Sequence, residues 1–129
     1  MNELNNNAYF WQKLDTLYLS SDFIMTNEKG SRHPVYTHMQ YPCVYGHLKT
    51  FGGEKDHVIP CFKGSGPKEL NQIVVSTDIL NKTIEVKLLV GCTDDEQEAI
   101  LRFLNQTDFQ KAILIKRGNS VPSWAETED

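Results

Sequence analysis

The pattern that most constrains the fold of this chain lies between residues 72 and 90. Two apolar-rich stretches, 72–80 and 83–90, flank the short polar turn Asn81-Lys82. In the second stretch apolar and charged side chains alternate strictly at first, which is typical of a β-strand with one buried face. The polar turn predicts that the two strands form a hairpin. Glu85 and Lys87 are expected on the partly solvated face.

The other elements complete a mainly β chain. Apolar residues at helical spacing predict a helix over 8–19. Thr93 followed three residues later by Glu96 forms a capping box and predicts a helix over 93–105. Further strands are expected at 23–26, 39–48, 57–62 and 109–117, so strands occupy most of 23–90. The sequence predicts one α+β domain over 1–129, with five to six antiparallel strands and a loose tail over 118–129.

Composition excludes several classes of protein. The chain of 129 residues has a formal charge of -4 at pH 7, which argues against a general nucleic-acid binder. It has no apolar run of membrane-spanning length, and its N-terminus is polar rather than signal-like. The three cysteines form no CxxC pair, which favours a reduced cytoplasmic protein without a zinc site. A homo-oligomer is left open.

A basic loop followed by an aromatic strand marks the candidate site. The loop Lys29-Gly30-Ser31-Arg32, called the KGSR loop below, offers two cations and a hydroxyl beside a glycine that lets the backbone approach a ligand. Alternation places Tyr41, Cys43, Tyr45 and His47 on one face of the following strand. The tyrosine hydroxyls either bind a ligand or are satisfied inside a half-buried wall. The sequence therefore suggests a phosphate site at this strand.

The KGSR loop and the motif Tyr41-Pro42-x-x-Tyr45-Gly46 together resemble the family I soluble inorganic pyrophosphatases. The resemblance is clear over residues 29–48 and weaker over 71–117. It implies a small OB-like barrel that hydrolyses diphosphate with Mg²⁺, or with Mn²⁺ in its place. It also implies phosphate binding by Lys29, Arg32, Tyr41 and Tyr45, with Tyr45 and Asp56 in catalysis. Lys116 and Arg117, which end the last strand, either reach the same anion or are surface charges.

The acidic part of the pyrophosphatase pattern is mostly missing from this chain. Only Asp56 matches the family's magnesium-binding loop in simple register, and a shifted register recruits Glu54. Asp78 is either a surviving acid in the cavity or a solvated strand residue. Glu54, Asp56 and Asp78 are thus the candidate metal ligands, and oxygen ligands of this kind suit Mg²⁺.

Three interpretations follow from these residues. The chain is a diverged phosphoanhydride hydrolase, or a non-catalytic relative that binds a small phosphorylated ligand. The third interpretation is a small protein-interaction module that uses either the first helix, through Phe10, Trp11 and Tyr18, or the edge of the barrel. Whether the protein is an enzyme is left open, because the fold alone does not decide it.

Overall fold

A computed structural model of the protein describes residues 6–49 and 58–119. Two helices and six strands follow one another along this part of the chain. In order they are α1 (Ala8–Leu19), β1 (Asp22–Asn27), β2 (Val44–Lys49), β3 (Val58–Lys63), β4 (Leu70–Asp78), β5 (Thr83–Val90), α2 (Asp94–Leu104) and β6 (Gln110–Lys116). The predicted α+β, mainly β class with an N-terminal helix and a helix near the C-terminus is confirmed.

The six strands form one sheet in the order β1-β2-β3-β5-β4-β6. Four of the neighbouring pairs are antiparallel, including the predicted β4–β5 hairpin. The exception is β3, which runs parallel to β5 and pairs Cys61 with Leu88. The chain passes from β3 through β4 to β5, and β4 runs antiparallel to β5 on its far side. This leaves β3 and β5 as neighbours that run in the same direction. The strands β1 and β6 end the hydrogen-bonded order of the described residues, so closure into a barrel stays a prediction.

Helix α1 covers one face of the sheet, called the α1 face. Asn7 caps the helix by accepting hydrogen bonds from the backbone N–H groups of Tyr9 and Phe10. Trp11 is fully buried and packs against a cluster contributed by β2–β5. That cluster consists of Leu48, Cys61, Leu70, Ile73, Leu88 and Val90. The indole N–H of Trp11 donates to the side chain of Asn6, so the buried ring has a satisfied donor.

Helix α2 covers the opposite face of the sheet, called the α2 face. The predicted capping box is present: Thr93 Oγ1 accepts from the Glu96 N–H, and Glu96 accepts from the Thr93 N–H. Glu96 also accepts from the backbone of Ser65, which ties the helix start to the loop after β3. Ile100, Phe103 and Leu104 form the buried stripe of the helix. A helix leaves its four N-terminal N–H groups unpaired, and the Thr93 hydroxyl satisfies one of them, that of Glu96.

The tyrosine strand is shorter than the sequence predicted. A strand over 39–48 was expected, but β2 starts only at Val44. Tyr41 is bonded instead to the KGSR loop, donating its N–H to Ser31 O at 2.9 Å and accepting from Gly30 N at 2.8 Å. Pro42 follows and has no N–H for a ladder bond. Within β2, a Cβ at Gly46 would lie 2.1 Å from Ile24 O, so close packing of β1 requires glycine there.

Burial along β5 follows position in the strand more than side of the sheet. The apolar Ile84 and Val86 are 75% and 44% exposed, whereas Lys87 on the other face is 4% exposed. The prediction of one buried apolar face and one solvated charged face is therefore wrong at these positions. The physical reason is that β3 pairs with β5 only from Leu88 onward, and the cluster around Trp11 also begins at Leu88. The first half of β5 extends past that cover.

Candidate functional site

A pocket of about 240 Å³ opens on the α2 face, between the β4–β5 hairpin, α2 and the segment 33–45. Its walls combine aromatic rings with charged and amide side chains. The aromatic residues are His33, Tyr36, Tyr41, Tyr45, Phe62 and Phe103. The polar residues are Asp78, Asn81, Glu85, Lys87 and Gln110. We call this cavity the site pocket.

The aromatic wall is a continuous stack of rings. The Tyr41 ring lies 5.3 Å from that of Tyr45, with the planes 26° apart. His33 stacks on Tyr41 at 6.0 Å, and Phe103 of α2 contacts Tyr41 at 4.8 Å. Separations of this kind are favourable for aromatic pairs. The wall therefore presents a preformed apolar surface to anything that enters the pocket.

The KGSR loop positions this wall. In addition to the two Tyr41 backbone bonds, Arg32 forms an isolated antiparallel bridge with Gln40. His33 N donates to Met39 O at 2.8 Å. The structure thus brings the two halves of the motif together, the basic loop and the tyrosine segment, as a short hydrogen-bonded ribbon. Gly30 has φ of 85°, a left-handed conformation that favours glycine at this turn.

Both tyrosine hydroxyls remain protonated at neutral pH. Burial raises the pKa of Tyr41 to about 12, with a further contribution from Tyr45. Burial also raises the pKa of Tyr45 to about 12, and the Glu85 carboxylate adds to the effect. A neutral phenol both donates and accepts a hydrogen bond. The two tyrosines can therefore donate to an oxyanion without carrying charge themselves.

His33 is held neutral and in one tautomer. Burial lowers the pKa of its imidazole. Nδ1 accepts from the backbone N–H groups of Val35 and Tyr36, each at 3.1 Å. Because Nδ1 is an acceptor, Nε2 carries the proton in the neutral ring. His33 thus supplies one N–H donor that the local backbone does not use.

Lys87 is the charged residue at the base of the pocket. It lies in the middle of the sheet, opposite Val74 of β4, and its side chain is 5% exposed. Among the described residues its ammonium makes one hydrogen bond, to Glu85 Oε1 at 3.2 Å. The same ammonium lies 5.8 Å from the centre of the Tyr45 ring. A lysine ammonium has three donors, so the described residues leave part of its hydrogen-bonding capacity for a ligand.

The two carboxylates of the pocket have different roles. Asp78 accepts from the N–H groups of Leu80 and Asn81 and from the Asn81 side chain, which closes the hairpin turn. These bonds, chiefly that from the Asn81 backbone, lower the pKa of Asp78. Glu85 is half exposed and compensates Lys87. Asp78 lines the pocket, but its carboxylate oxygens already accept hydrogen bonds from the hairpin turn.

The predicted phosphate-binding cations lie elsewhere. Lys29 and Arg32 are exposed and do not line the pocket, and Arg32 donates to Thr37 O. Lys116 ends β6, whereas the pocket contacts Gln110 at its start, about 20 Å away at about 3.3 Å per residue. Of the predicted binding residues, the structure brings Tyr41, Tyr45 and Asp78 together.

Arg117 is engaged on the α1 side of the sheet. It donates to both carboxylate oxygens of Asp15 in α1, at 2.9 and 2.7 Å, and to Leu70 O. This pairing raises the pKa of the guanidinium. These bonds fix the end of β6 to α1. They give Arg117 a structural role, so the phosphate-binding prediction is not needed to explain the residue.

Of the three predicted metal ligands, Asp78 is the one that the structure describes. Glu54 and Asp56 lie outside the described residues. Within 6–49 and 58–119, no group of three or more His, Cys, Asp or Glu side chains is arranged to hold a metal ion. The described residues alone therefore do not provide the carboxylate set that Mg²⁺ prefers.

Sequence reasoning assigned no phosphate-binding role to His33, Glu85 or Lys87, which line the pocket. One signal was present for Lys87, which is followed by the uninterrupted apolar run Leu88-Leu89-Val90. Apolar residues on both faces indicate a strand that is buried on both sides. A lysine next to such a run is therefore a candidate buried charge, and buried charges need partners.

Neither helix in the described part of the chain has the length and apolar character needed to cross a membrane. Comparison with models of known families, with curated proteins and with solved structures finds no match. The resemblance to pyrophosphatases thus stays a prediction that rests on the motif residues.

Proposed function

We propose that the site pocket binds a small phosphorylated ligand, with the Lys87 ammonium as its charge partner. The observation that carries this proposal is a lysine buried at the base of a preformed cavity with one carboxylate partner among the described residues. Burying an ammonium costs several kcal/mol unless it is paired and hydrogen-bonded. Replacing a buried ion pair by apolar residues of similar volume is often neutral or stabilising, so stability of the sheet does not by itself explain a lysine here. A ligand anion would supply the further hydrogen bonds and the charge compensation that the buried ammonium lacks among the described residues.

The donors around the pocket suit an oxyanion. The Lys87 ammonium, the hydroxyls of Tyr41 and Tyr45, and the Nε2–H of His33 are donors on lining residues. A phosphoryl group offers several strong acceptor oxygens to such donors. Glu85 opposes an anion electrostatically, but it is half exposed and solvent screens its charge. We expect the anion to take over part of the Glu85 contact with Lys87.

The aromatic wall adds a preference for ligands with a flat apolar portion. The pocket, at about 240 Å³, is slightly smaller than the roughly 300–1,000 Å³ typical of drug-sized ligand sites. A phosphate joined to a single ring matches this size. We therefore place an aryl phosphate above free phosphate in expected affinity.

Hydrolysis of diphosphate is the second candidate. It is favoured by the contact between the KGSR loop and the Tyr41 segment, the two motifs that carry the resemblance. The described residues do not fit a Mg²⁺ site by themselves, since Asp78 is engaged by the hairpin turn. Hydrolysis therefore depends on Glu54 and Asp56, and we assign no catalytic step to the pocket.

Ligand-dependent thermal stability tests the binding proposal. The full chain is heated with orthophosphate, diphosphate, phenyl phosphate, benzoate or phenol. A ligand at 100 times its Kd stabilises the folded state by about 2.7 kcal/mol. We expect the largest rise in Tm with phenyl phosphate and none with phenol. The Lys87→Met variant should lose this rise, whereas Lys111→Met, which alters an exposed lysine of β6, should keep it.

An equal rise in Tm for Lys87→Met and the wild type contradicts binding in the pocket. Hydrolysis is measured separately, as phosphate release from diphosphate with Mg²⁺ and then Mn²⁺. Release that is lost in both Arg32→Ala and Asp56→Ala supports the enzyme. Absence of release above buffer removes the hydrolysis candidate and leaves the binding result to stand by itself.

A further inference from the structure

Helix α1 leaves part of the α1 face uncovered. Val86, Val75 and Ile113 lie directly opposite one another on β5, β4 and β6, so their side chains share one side of the sheet. Leu88, two residues further along β5, belongs to the buried cluster around Trp11, which puts this row on the α1 face. Unlike Leu88, Val86 is 44% exposed and Ile113 is 63% exposed. The aliphatic surface therefore continues beyond the part of the sheet that Trp11 covers.

The uncovered surface extends toward the β4–β5 turn. In the next row, Ile84, Thr77 and Lys111 lie opposite one another on the same three strands, and Ile84 is 75% exposed. A groove of about 350 Å³ lies between Ile84 and the side chains of Leu14 and Leu17 on α1. Single exposed apolar side chains are ordinary, whereas a contiguous group beside a groove indicates a docking surface. We define the open patch as Val75, Ile84, Val86 and Ile113.

Basic side chains border the open patch at its turn end. Lys111 lies in the same row as Ile84, and Lys82 belongs to the turn that precedes β5. The Lys111 ammonium donates to Asn105 O at 3.3 Å. Among the residues that the structure describes, neither lysine forms a salt bridge with a carboxylate. An occupant that suits this surface is therefore apolar beside Ile113 and acidic beside Lys111.

Residues 120–129 have this order of side chains and lie outside the described residues. Their apolar members Val121, Pro122 and Trp124 come first, and three acidic residues follow with no basic residue among them. The acidic residues are Glu126, Glu128 and Asp129. The segment therefore matches the open patch in chemistry, with an indole ring for the aliphatic surface and carboxylates for the two lysines.

The segment begins close enough to reach the open patch. Gly118 donates its N–H to Asn6 Oδ1 at 2.8 Å, so the chain leaves β6 beside the start of α1. Gly118 follows Ile113 by five residues, a distance of about 17 Å along an extended chain. Trp124 follows Gly118 by six residues, which span up to about 20 Å. A chain that turns back at Gly118 thus brings Trp124 to Ile113, and the acidic residues beyond it reach Lys111.

The edge of β6 directs an occupant onto the face of the sheet. The Asn105 side chain accepts from the Ala112 N–H at 3.0 Å and donates to the Ala112 carbonyl at 3.2 Å. The Asn6 side chain donates to the carbonyl of Lys116. Because side chains already bind these backbone groups, a further strand cannot pair regularly with β6. An occupant must contact the side chains of the open patch instead.

We propose that residues 120–129 dock on the open patch of the same chain. Trp124 lies against Val86 and Ile113, and the acidic residues that follow it lie toward Lys111. The docked segment takes the place of the loose tail expected from the sequence, and it covers aliphatic side chains that would otherwise be open to a second copy of the chain. This inference does not depend on the proposed ligand, because the site pocket opens on the α2 face.

Acrylamide quenching of Trp124 fluorescence tests the docking. The chain has two tryptophans, so a full-length Trp11→Phe protein reports Trp124 alone. We expect the quenching constant to be several-fold lower in the folded protein than in urea, with emission at a shorter wavelength. Ile113→Asn should raise the constant nearly to its unfolded value. The matched control, Ile24→Asn, alters a 40% exposed residue of β1 at the other end of the strand order and should leave the constant low.

Equal quenching of Trp124 in the folded and unfolded protein overturns the proposal, and so does a quenching constant that Ile113→Asn leaves unchanged. Protection that is lost on dilution of the protein places the segment on a second copy and overturns docking within one chain. If Trp11→Phe fails to fold, the wild type is used for NMR. The proposal then requires nuclear Overhauser contacts between the Trp124 indole and the Ile113 methyl groups, and their absence from the assigned spectrum overturns it.

Discussion

The two faces of the sheet are built on different principles. The α1 face buries Trp11 among aliphatic side chains, and its guanidinium, Arg117, has a bidentate carboxylate partner. The α2 face buries an ammonium, Lys87, beneath tyrosines and leaves a cavity beside it. Among the described residues, Arg117 donates three hydrogen bonds to protein acceptors, whereas the Lys87 ammonium donates one. This difference is the reason for assigning stability to the α1 face and ligand binding to the α2 face.

The largest effect is expected on the α1 face. Trp11→Ala removes a fully buried indole and leaves a cavity in the cluster. Such substitutions cost about 3–5 kcal/mol, so the free energy of unfolding should fall by that amount in urea denaturation. Phe10→Ala is the matched control, because Phe10 is 47% exposed and should cost much less. Equal costs for the two would remove the distinction between core and surface in α1.

The tyrosines of the α2 face should make the free energy of unfolding fall at high pH. The folded pKa of Tyr41 and Tyr45 is about 12, above the ordinary value of 10.0. Their contribution is therefore complete below pH 10 and is lost as pH rises from about 10 to about 12. A shift of this size corresponds to at most about 2.7 kcal/mol for each phenol. Chemical denaturation across that range should show the loss, and a Tyr41→Phe/Tyr45→Phe variant should show less of it.

Removing the cation of the α1 face should be destabilising. Arg117→Met leaves Asp15 and Leu70 O without their donor. The pair is partly exposed, so we expect a loss of about 1 kcal/mol. The measurement is the denaturation midpoint at low and at high salt. A gain in stability would mean that burying the Arg117 guanidinium costs more than its hydrogen bonds return. The contrast between the two faces would then be wrong.

Removing the cation of the α2 face should have the smallest effect on stability. Replacing a buried ion pair by apolar groups is often neutral or stabilising. We expect Lys87→Met to change the free energy of unfolding by less than about 1 kcal/mol, in either direction. Glu85→Gln is the informative partner, because it leaves the buried ammonium without its carboxylate and should cost more than Lys87→Met. The reverse order would show that Lys87 serves the fold.

Local patterns predicted the elements well. The alternation before and after Asn81-Lys82 specified the hairpin, and Thr93 with Glu96 specified the start of α2, because both signals act within a few residues. The tyrosine strand was predicted too long, since Tyr41 exchanges its backbone hydrogen bonds with the KGSR loop rather than with a sheet neighbour. That exchange depends on contacts between residues ten and eleven positions apart, Tyr41 with Ser31 and with Gly30.

The site was predicted only in part for a related reason. Tyr41 and Tyr45 were identified from their motif, but their stacking was not, because Tyr41 lies before β2 and four residues of a regular strand would separate the two rings by about 13 Å. Lys87 was assigned to a solvated face, because the sequence does not show that the aromatic wall of Tyr41 and Tyr45 lies over this side of β5. Arg117 was considered for the anion because the sequence does not show that Asp15 faces it. Long-range pairing therefore decides which cations have a partner within the protein.

Mapping a bound ligand on the chain is the most direct test of whether a small phosphorylated ligand binds beside Lys87. Backbone amide shifts are followed by NMR while phenyl phosphate is titrated into the full-length protein. We expect saturable shifts centred on Tyr41, Tyr45, Glu85 and Lys87, and we expect them to be absent in Lys87→Met. Shifts centred instead on Lys116 and Arg117, or no saturable shifts at all, would contradict binding beside Lys87.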